Sequence, residues 1–285
     1  DTLVVMCPGR PVGGLPDGVD VMRGSILDAD AVARALKGID RLYHLAANPN
    51  LWAPDARNFL ETNLRGTETV LAAAARAELE RVVYTSTESI LKNIRRPDWG
   101  PVDESVAWTV EDMPGPYCRS KFLAEQAAHR AAADGLPVVI VNPTMPIGPG
   151  DGSRTPPTRM LLGFLTGRTP TYLECQFNLV DVRDVAAGHI LAAERGKSGE
   201  RYILGGTNIH MSELLAELEA LTGRAMPRRP IPYPIALAFA VASETLAHLT
   251  KRPPVAPLAG VRLANTPMAL SSPKAVTVLG MPQPP

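Results

Sequence analysis

Short apolar runs alternate with longer helical stretches along the first half of the chain. The apolar runs are rich in β-branched residues and predict buried strands at residues 2–7, 19–22, 40–47, 81–86 and 137–142. Helices are predicted between them, at residues 28–36, 54–78 and 117–134. Strands that are apolar along their whole length and alternate with helices are typical of a parallel sheet covered on both faces. The pattern therefore predicts an α/β fold with a Rossmann-type, doubly wound parallel sheet.

The pattern becomes mixed after Pro143. Helices are predicted at residues 157–167, 182–193 and 211–222, and extended segments at 177–180 and 201–204. The apolar stretch at 235–249 is too short to span a bilayer and carries Glu244 and His248, which favours a helix packed in the core or on the surface. We predict a dinucleotide-binding domain at residues 1–143 and a smaller, mixed substrate lobe at 144–285, in which segments around 177–204 return to the main sheet.

Charge and cysteine content narrow the functional classes. The chain has 285 residues, with 29 Lys and Arg against 29 Asp and Glu. A net charge of zero gives no reason to expect nucleic acid or an anionic membrane as a partner. Cys7, Cys118 and Cys175 are odd in number and far apart, so they predict neither a disulfide framework nor a metal site. We expect a cytoplasmic protein that binds no metal.

Polar residues follow several of the predicted strands, which end at residues 7–10, 46–48, 86–87 and 142–143. Open parallel sheets bind their ligands at the carboxyl ends of the strands, and all these ends share one rim. The sequence therefore predicts a binding site on that rim.

Tyr117 and Lys121 are four residues apart on a predicted helix and so share one helical face. A lysine ammonium beside a phenol favours the phenolate and lowers a pKa that is ordinarily ~10. With the hydroxyl of Thr87 on the same rim, the pair can exchange a proton with a carbonyl or carbinol oxygen while a nicotinamide cofactor carries the hydride. The same spacing also occurs on exposed helix faces, and Thr87 alone also fits the cap of a turn.

Motifs along nearly the whole chain resemble one superfamily. They are RVVYTST, YCRSK, HLAA, TNLRGT, NPTMPIGPGD and NLVDVRDVAAGHILAAERGKSGERYILGG. With them the chain resembles the extended short-chain dehydrogenases/reductases, which include sugar-nucleotide epimerases, dehydratases and dihydroflavonol-reductase-like enzymes. The stretches LWAPD, EDMPGPYCRSKFLAE, VVIVNPTMPIGPGD and ERYILGG are most similar to the hopanoid-associated sugar epimerases.

The resemblance implies a role for each matching residue. Tyr117 would be the catalytic acid and base, Lys121 its partner and a contact of the cofactor ribose, and Thr87 the third member of a triad. The implied cofactor contacts, besides Tyr117 and Lys121, are Ser25 and Ile26 at the adenine, Leu45, Ala46 and Ala47 at a strand end, Asn63 behind the site backbone, Thr85, and Asn142 and Pro143 at the nicotinamide.

Two departures from the family pattern concern the cofactor. Ser25 stands where the family usually has Asp. No G-x-x-G-x-x-G turn follows a strand in these 285 residues, although such a turn and the helix after it hold the pyrophosphate. We expect the first strand, glycine turn and helix to precede residue 1. The alternative is a degenerate relative that binds no cofactor.

The choice between NADP and NAD depends on the end of the first predicted strand. No acidic residue follows that strand, whereas Arg10 does, and a basic residue there suits the phosphate of NADP. Arg10 favours NADP over NAD, but it also fits a solvated loop residue.

Three functions agree with these residues. The first is an NAD(P)-dependent epimerase or dehydratase acting on a nucleotide sugar. The second is an NADPH-dependent ketone or aldehyde reductase of the dihydroflavonol-reductase type, and the third is a non-catalytic NAD(P) sensor. The resemblance also implies a homodimer formed through the helices at residues 54–78 and 117–134.

Overall fold

The computed structural model describes residues 3–9, 15–93, 101–152, 154–266 and 269–282. The strands are β1 (Leu3–Cys7), β2 (Val19–Arg23), β3 (Arg41–His44), β4 (Arg81–Thr85), β5 (Val138–Pro143), β6 (Met145–Ile147), β7 (Gln176–Asp181), β8 (Arg201–Leu204) and β9 (Thr207–His210). The helices are α1 (Ala29–Ala35), α2 (Arg57–Phe59), α3 (Gly66–Arg76), α4 (Pro116–Ala133), α5 (Pro156–Leu165), α6 (Val182–Arg195), α7 (Met211–Thr222), α8 (Tyr233–Thr250) and α9 (Leu258–Ala264).

The main sheet has four parallel strands in the order β3-β4-β5-β8. Strands β1 and β2 form a separate parallel pair, and β6, β7 and β9 form a mixed three-stranded sheet. These sheets confirm the predicted Rossmann-like α/β fold. Strand β8 returns to the main sheet, whereas β7 pairs within the smaller sheet.

Helices cover the main sheet on both faces because side chains of its strands alternate in direction. Val82 of β4 and Ile140 of β5 pack against α1, α3 and α4 in one cluster. Val83 and Val141 face the opposite way and pack against α6 and the turn at Ala275–Leu279. Every residue of β5 is buried, as expected for a central parallel strand.

A gap separates β1 from β3. Among the described residues, β1 pairs only with β2 and β3 only with β4, so each keeps one strand edge without a partner strand. A cavity of about 960 Å³ lies between these edges, and all residues of both strands line it. In a continuous parallel sheet this position belongs to one further strand.

Two predicted boundaries are wrong by three residues. The strand predicted to reach residue 47 ends at His44, because the backbone then turns toward the helical segment after α2, where the Asn48 amide donates to the Asn63 side chain. The helix predicted from residue 54 begins at Arg57, and between α2 and α3 it runs through a π-helical stretch at Leu60–Arg65. A single-turn π segment of this kind is often found at a functional site.

In the part of the chain that the structure describes, no helix is both long and apolar enough to cross a membrane.

Candidate active site

Tyr117 and Thr87 meet at the carboxyl rim of the main sheet. Helix α4 begins with Pro116 at its first position, where a proline costs no hydrogen bond, and this places Tyr117 in the first turn. Thr87 follows β4 and caps a short turn by accepting the amide of Ser89 at 3.2 Å. The Thr87 hydroxyl also lies close enough to the Tyr117 phenol to oppose in part the rise of its pKa. The structure thus brings two of the three predicted catalytic residues into contact.

The surroundings of Tyr117 are apolar. It packs on a cluster that contains Ile90 and Met113, and its ring lies edge-on to Phe59 with centroids 6.4 Å apart. Burial raises the pKa of the Tyr117 phenol well above its ordinary value, and the nearby Thr87 hydroxyl opposes that rise only in part. Tyr117 is therefore a neutral hydrogen-bond donor at physiological pH.

Lys121 does not act on Tyr117 as predicted. Its ammonium donates to the Tyr84 hydroxyl at 3.0 Å and to the Thr85 carbonyl at 2.7 Å. Burial lowers the pKa of Lys121 to about 8, although Glu125 opposes this shift. The expectation that the lysine lowers the pKa of Tyr117 is wrong for this structure, because the ammonium is directed toward β4 and the phenol is desolvated.

A chain of buried hydroxyls continues from Lys121. The Tyr84 hydroxyl, which accepts from Lys121, lies close to Thr67, whose Oγ1 lies 3.0 Å from His44 Nε2. Burial, aided by the charge of Lys121, lowers the pKa of His44 to about 3, so this imidazole is neutral. The neutral imidazole and the Thr67 hydroxyl share one hydrogen bond. His44 is thus a hydrogen-bonded core histidine.

Asn63 holds the loop after β3 against α4. Its Oδ1 accepts the Asn48 amide at 2.7 Å, and its Nδ2 donates to the Asn48 carbonyl at 3.3 Å and to Ser120 Oγ at 2.9 Å. The side chain is only 1% exposed, so these bonds are made without competing water. Asn63 therefore lies where the sequence predicted a residue supporting the backbone of the site.

Asn142 and Glu125 form a second buried pair. Asn142 Nδ2 donates to Glu125 Oε2 at 2.8 Å and to the Thr87 carbonyl at 3.1 Å. Glu125 Oε1 lies 3.1 Å from Arg201 Nη1. Burial raises the pKa of Glu125, but hydrogen bonds with His129 and the charge of Arg201 outweigh it, and the net shift is downward. A buried carboxylate thus fixes the amide that holds the Thr87 backbone.

Thr85 is held from the opposite face of the sheet. Its Oγ1 lies 2.9 Å from His189 Nε2, and His189 Nδ1 lies 2.8 Å from the Val185 carbonyl. Burial lowers the pKa of His189, although the Val185 carbonyl opposes the shift. The ring is neutral with its proton on Nδ1, so the Thr85 hydroxyl donates to Nε2.

Sequence reasoning missed Tyr84 and Glu125. Glu125 follows Lys121 by four residues, as Lys121 follows Tyr117, so all three lie on one face of α4. The sequence could have indicated Glu125, because its carboxylate lies on the same face of an alanine-rich helix as Tyr117 and Lys121. Tyr84 is a polar aromatic within an otherwise apolar strand, and its contact with Lys121 depends on how α4 packs, which the sequence pattern does not give.

The predicted cofactor residues fall into two groups. Ile26, Leu45 and Ala46 line the 960 Å³ cavity, and Leu45 is 59% exposed at the strand end. Ser25 Oγ accepts the Leu27 amide, Ala47 is half-buried, and Asn142 and Pro143 are buried at the end of β5. Arg10 lies outside the described residues.

The residues present fit a nicotinamide dinucleotide at the rim. Asn142 Oδ1 is buried there without a hydrogen-bond partner, an acceptor that a bound group can use. The ends of β1 and β3 open into the cavity beside Leu45 and Ala46. Within the described residues, no group of His, Cys, Asp and Glu is arranged to hold a metal ion.

A parallel sheet with a polar carboxyl rim is the architecture of a dinucleotide-binding α/β protein, and three comparisons agree. A Synechocystis sp. protein provisionally named dihydroflavonol 4-reductase is 40% identical over 269 residues, which cover 93% of this chain and 78% of that protein. Sterol demethylase protein B of Methylococcus capsulatus is 33% identical over 256 residues, which cover 88% of this chain and 76% of that protein. The crystal structure of gox2253 superposes with a TM-score of 0.84 at 35% identity, covering 99% of this chain and 86% of that one.

The sequence profile of the NAD dependent epimerase/dehydratase family matches residues 9–205. The chain belongs to this family. It is an NAD(P)-dependent enzyme of the oxidoreductase or epimerase type, with NAD or NADP as its cofactor.

Proposed function

We propose that the protein is an NAD(P)H-dependent reductase of ketones or aldehydes, with Thr87, Tyr117 and Lys121 as its catalytic residues. The proximity of the Thr87 hydroxyl and the Tyr117 phenol at the rim of the parallel sheet is the observation that carries the proposal. Two neighbouring hydroxyls can together hold one carbonyl oxygen.

The proton chemistry follows from the state of Tyr117. Its raised pKa keeps the phenol protonated, so it can donate to the carbonyl oxygen of a substrate. A bound NADH or NADPH supplies the hydride at carbon. The oxygen gains negative charge during the reaction, and because an alkoxide is more basic than a phenolate, proton transfer from Tyr117 is downhill. Lys121 holds its ammonium on the Tyr84 hydroxyl and the Thr85 carbonyl, one helical turn from Tyr117, where it could contact the ribose of a bound cofactor and so position it.

The surroundings of the phenol support a carbonyl compound over a nucleotide sugar. Tyr117 is enclosed by Phe59, Ile90 and Met113, which offer no hydrogen bonds to a sugar from their side chains. Asn178, a polar residue of β7, uses its amide internally, donating to the Gly206 carbonyl and to Asn208 Oδ1. The 40% identical relative also carries the name of a reductase.

The phosphate-binding half of the site is a separate proposal. The facing edges of β1 and β3 and the cavity between them fit one parallel strand. A glycine-rich turn at the carboxyl end of such a strand would lie beside Ile26, Leu45 and Ala46, where it could hold a pyrophosphate. We propose that a strand, turn and helix outside the described residues complete the sheet in this way.

Cofactor oxidation by the full-length protein tests the catalytic proposal. We expect NADPH or NADH to be consumed with a ketone or aldehyde, and Tyr117→Phe to lose about 100-fold or more of kcat while it still binds cofactor. Tyr43→Phe, which changes a tyrosine on β3, is the matched control and should leave kcat unchanged. Full activity of Tyr117→Phe would overturn the role of Tyr117. Tightly retained NAD with epimerisation of a nucleotide sugar would replace the reductase by an epimerase, and absence of cofactor binding would exclude both.

A further inference from the structure

Helix α8 turns its apolar side chains toward solvent. Ile235, Phe239, Leu246 and Leu249 are between 52% and 78% exposed, and their spacing of four, seven and three residues places them on one face. The opposite face buries only alanines, at positions 236, 240 and 247. A solvated helix has the reverse arrangement, so this face is built to be covered.

The polar residues of α8 are used within the protein. Ser243 Oγ accepts the Val255 amide at 2.9 Å, and Glu244 Oε2 accepts the Leu258 amide at 2.8 Å. These bonds hold the loop from α8 to α9 beneath the helix. The outward position of the apolar side chains is therefore fixed by specific contacts on the inner side.

Basic residues flank α8 along the chain. Between Arg224 and Arg262 the chain carries six basic side chains, all exposed, and a single acidic one, Glu244, which accepts the Leu258 amide. Arg228 is paired with Glu219 of α7 at 3.0 Å. The whole chain has no net charge, so this segment carries an excess of positive charge. An exposed apolar helix face with basic flanks has the composition of a helix that lies in the surface of an anionic membrane.

A second copy of the chain fits this surface less well. In a two-fold interface each patch meets its own copy. The basic residues at the two ends of α8, Arg228 and Arg229 at one and Lys251 and Arg252 at the other, would then face basic residues across the contact, which costs free energy. Phospholipid headgroups instead supply the complementary charge.

The helix lies beside the mouth of the candidate site. His248 of α8 packs on Trp52 with ring centroids 5.8 Å apart, and Trp52 belongs to the loop after β3. In α9, Leu263 packs on the cluster around Tyr117, and Ala259 Cβ lies so close to Gly115 that a Cβ there would be 3.1 Å away. We propose that α8 docks on an anionic phospholipid surface and brings the site to substrates dissolved in the membrane, a consequence that rests on the reductase function proposed above.

Vesicle flotation of the full-length protein tests the docking. We expect binding to phosphatidylcholine vesicles that contain phosphatidylglycerol, weaker binding to phosphatidylcholine alone, and a decrease as salt is raised. Phe239→Ser with Leu246→Ser should abolish flotation, because the pair supplies exposed apolar area. Lys251→Glu with Arg252→Glu should weaken binding about tenfold or more, since each basic residue near the surface adds to the attraction.

Matched controls separate docking from general surface effects. Ile190→Ser with Leu221→Ser removes two exposed apolar residues outside α8. Arg34→Glu with Lys37→Glu reverses two exposed charges outside the segment between Arg224 and Arg262. Both should float like the unaltered protein. The proposal is overturned if the Phe239 and Leu246 double variant floats as well as the unaltered protein. It is also overturned if the unaltered protein does not bind vesicles that contain phosphatidylglycerol.

Two further measurements show whether a negative result contradicts lipid docking or the reductase function. The first is the oligomeric state without lipid. If the unaltered protein is a dimer and the Phe239 and Leu246 double variant is a monomer, the apolar face of α8 binds a second copy of the chain, and lipid docking is overturned. Reduction of a water-soluble ketone should be the same in this variant as in the unaltered protein. Loss of all carbonyl reduction would contradict the reductase function and leave the flotation result valid.

Discussion

Asn142 Nδ2 lies 2.8 Å from Glu125 Oε2 and 3.1 Å from the Thr87 carbonyl, so one buried amide connects a charged pair to the backbone of the candidate site. Glu125 in turn holds Arg201 of β8. The position of Thr87 thus depends on a carboxylate that touches neither Thr87 nor Tyr117. Each link of this connection can be broken by a single substitution.

Glu125→Gln is expected to destabilise the fold and slow catalysis. The glutamine keeps the shape but leaves the partly buried Arg201 guanidinium without a counter-charge, which costs less than the ~3–5 kcal/mol of a fully buried pair. The weaker hold on Asn142 should lower kcat more than it raises KM. Urea unfolding and steady-state kinetics measure the two effects. Glu61→Gln, an exposed position between α2 and α3, should change neither.

The stability advantage of Glu125 should depend on pH. Its pKa in the folded protein is below the ordinary value of 4.5, so the folded state binds fewer protons than the unfolded state around that pH. The contribution is therefore complete above pH 4.5 and is lost as pH falls through the folded-state pKa. The difference in unfolding free energy between the unaltered protein and Glu125→Gln should shrink in acid. A constant difference would mean that the carboxylate is not held in its charged form.

Lys121 should give a pH effect at the alkaline end. Its pKa falls from 10.5 to about 8 on burial, so between these values the unfolded chain binds more protons than the folded one. The stability of the unaltered protein relative to Lys121→Met should then rise with pH in this window, by up to about 1.4 kcal/mol per pH unit. If the difference in unfolding free energy between the unaltered protein and Lys121→Met is the same at pH 8 and at pH 10, the ammonium is not desolvated.

Tyr84→Phe isolates the hydroxyl that receives Lys121. Removing it leaves the buried ammonium without one of its two acceptors, at a cost of about 1–3 kcal/mol. The ammonium loses an acceptor, so its pKa should fall further and the limb of the pH–rate profile that it controls should move to lower pH. A merely structural role for Tyr84 predicts lower stability with an unshifted profile. Tyr43→Phe serves again as the control.

Asn63→Ala should loosen the loop after β3. The substitution leaves the partly buried Asn48 amide without its acceptor, which costs about 1 kcal/mol. Hydrogen exchange of the Asn48 amide should quicken, and cofactor affinity should fall because Leu45 and Ala46 lie in the same loop. Asn58→Ala, at an exposed position of α2, is the matched control. Unchanged exchange at Asn48 would remove Asn63 from any supporting role.

The hydrophobic period was enough to predict the parallel sheet and the order of its helices, because burial on both faces leaves a continuous apolar run in each strand. It also placed Thr87 and Tyr117 at one rim, since parallel strands end together. The partner of Lys121 was not predictable, because a long side chain can reach either Tyr117 or Tyr84 and the choice depends on the packing of α4. The outward face of α8 was not predictable either, because the sequence favoured a helix packed in the core or on the surface without indicating which side chains face solvent.

The π-helical stretch at Leu60–Arg65 constrains the number of residues in this part of the helix. A π turn holds one residue more than an α turn, so deleting any one residue there would restore ordinary helical winding. The two flanks would keep their relative rotation, because the π turn absorbs the roughly 100° that one more α residue would add. Asn63 lies within the stretch, so its position relative to Asn48 would change while Val70 and Ala74 stayed in the core. Natural length variation in this family is therefore expected to avoid these six positions and to accumulate in the loops on either side.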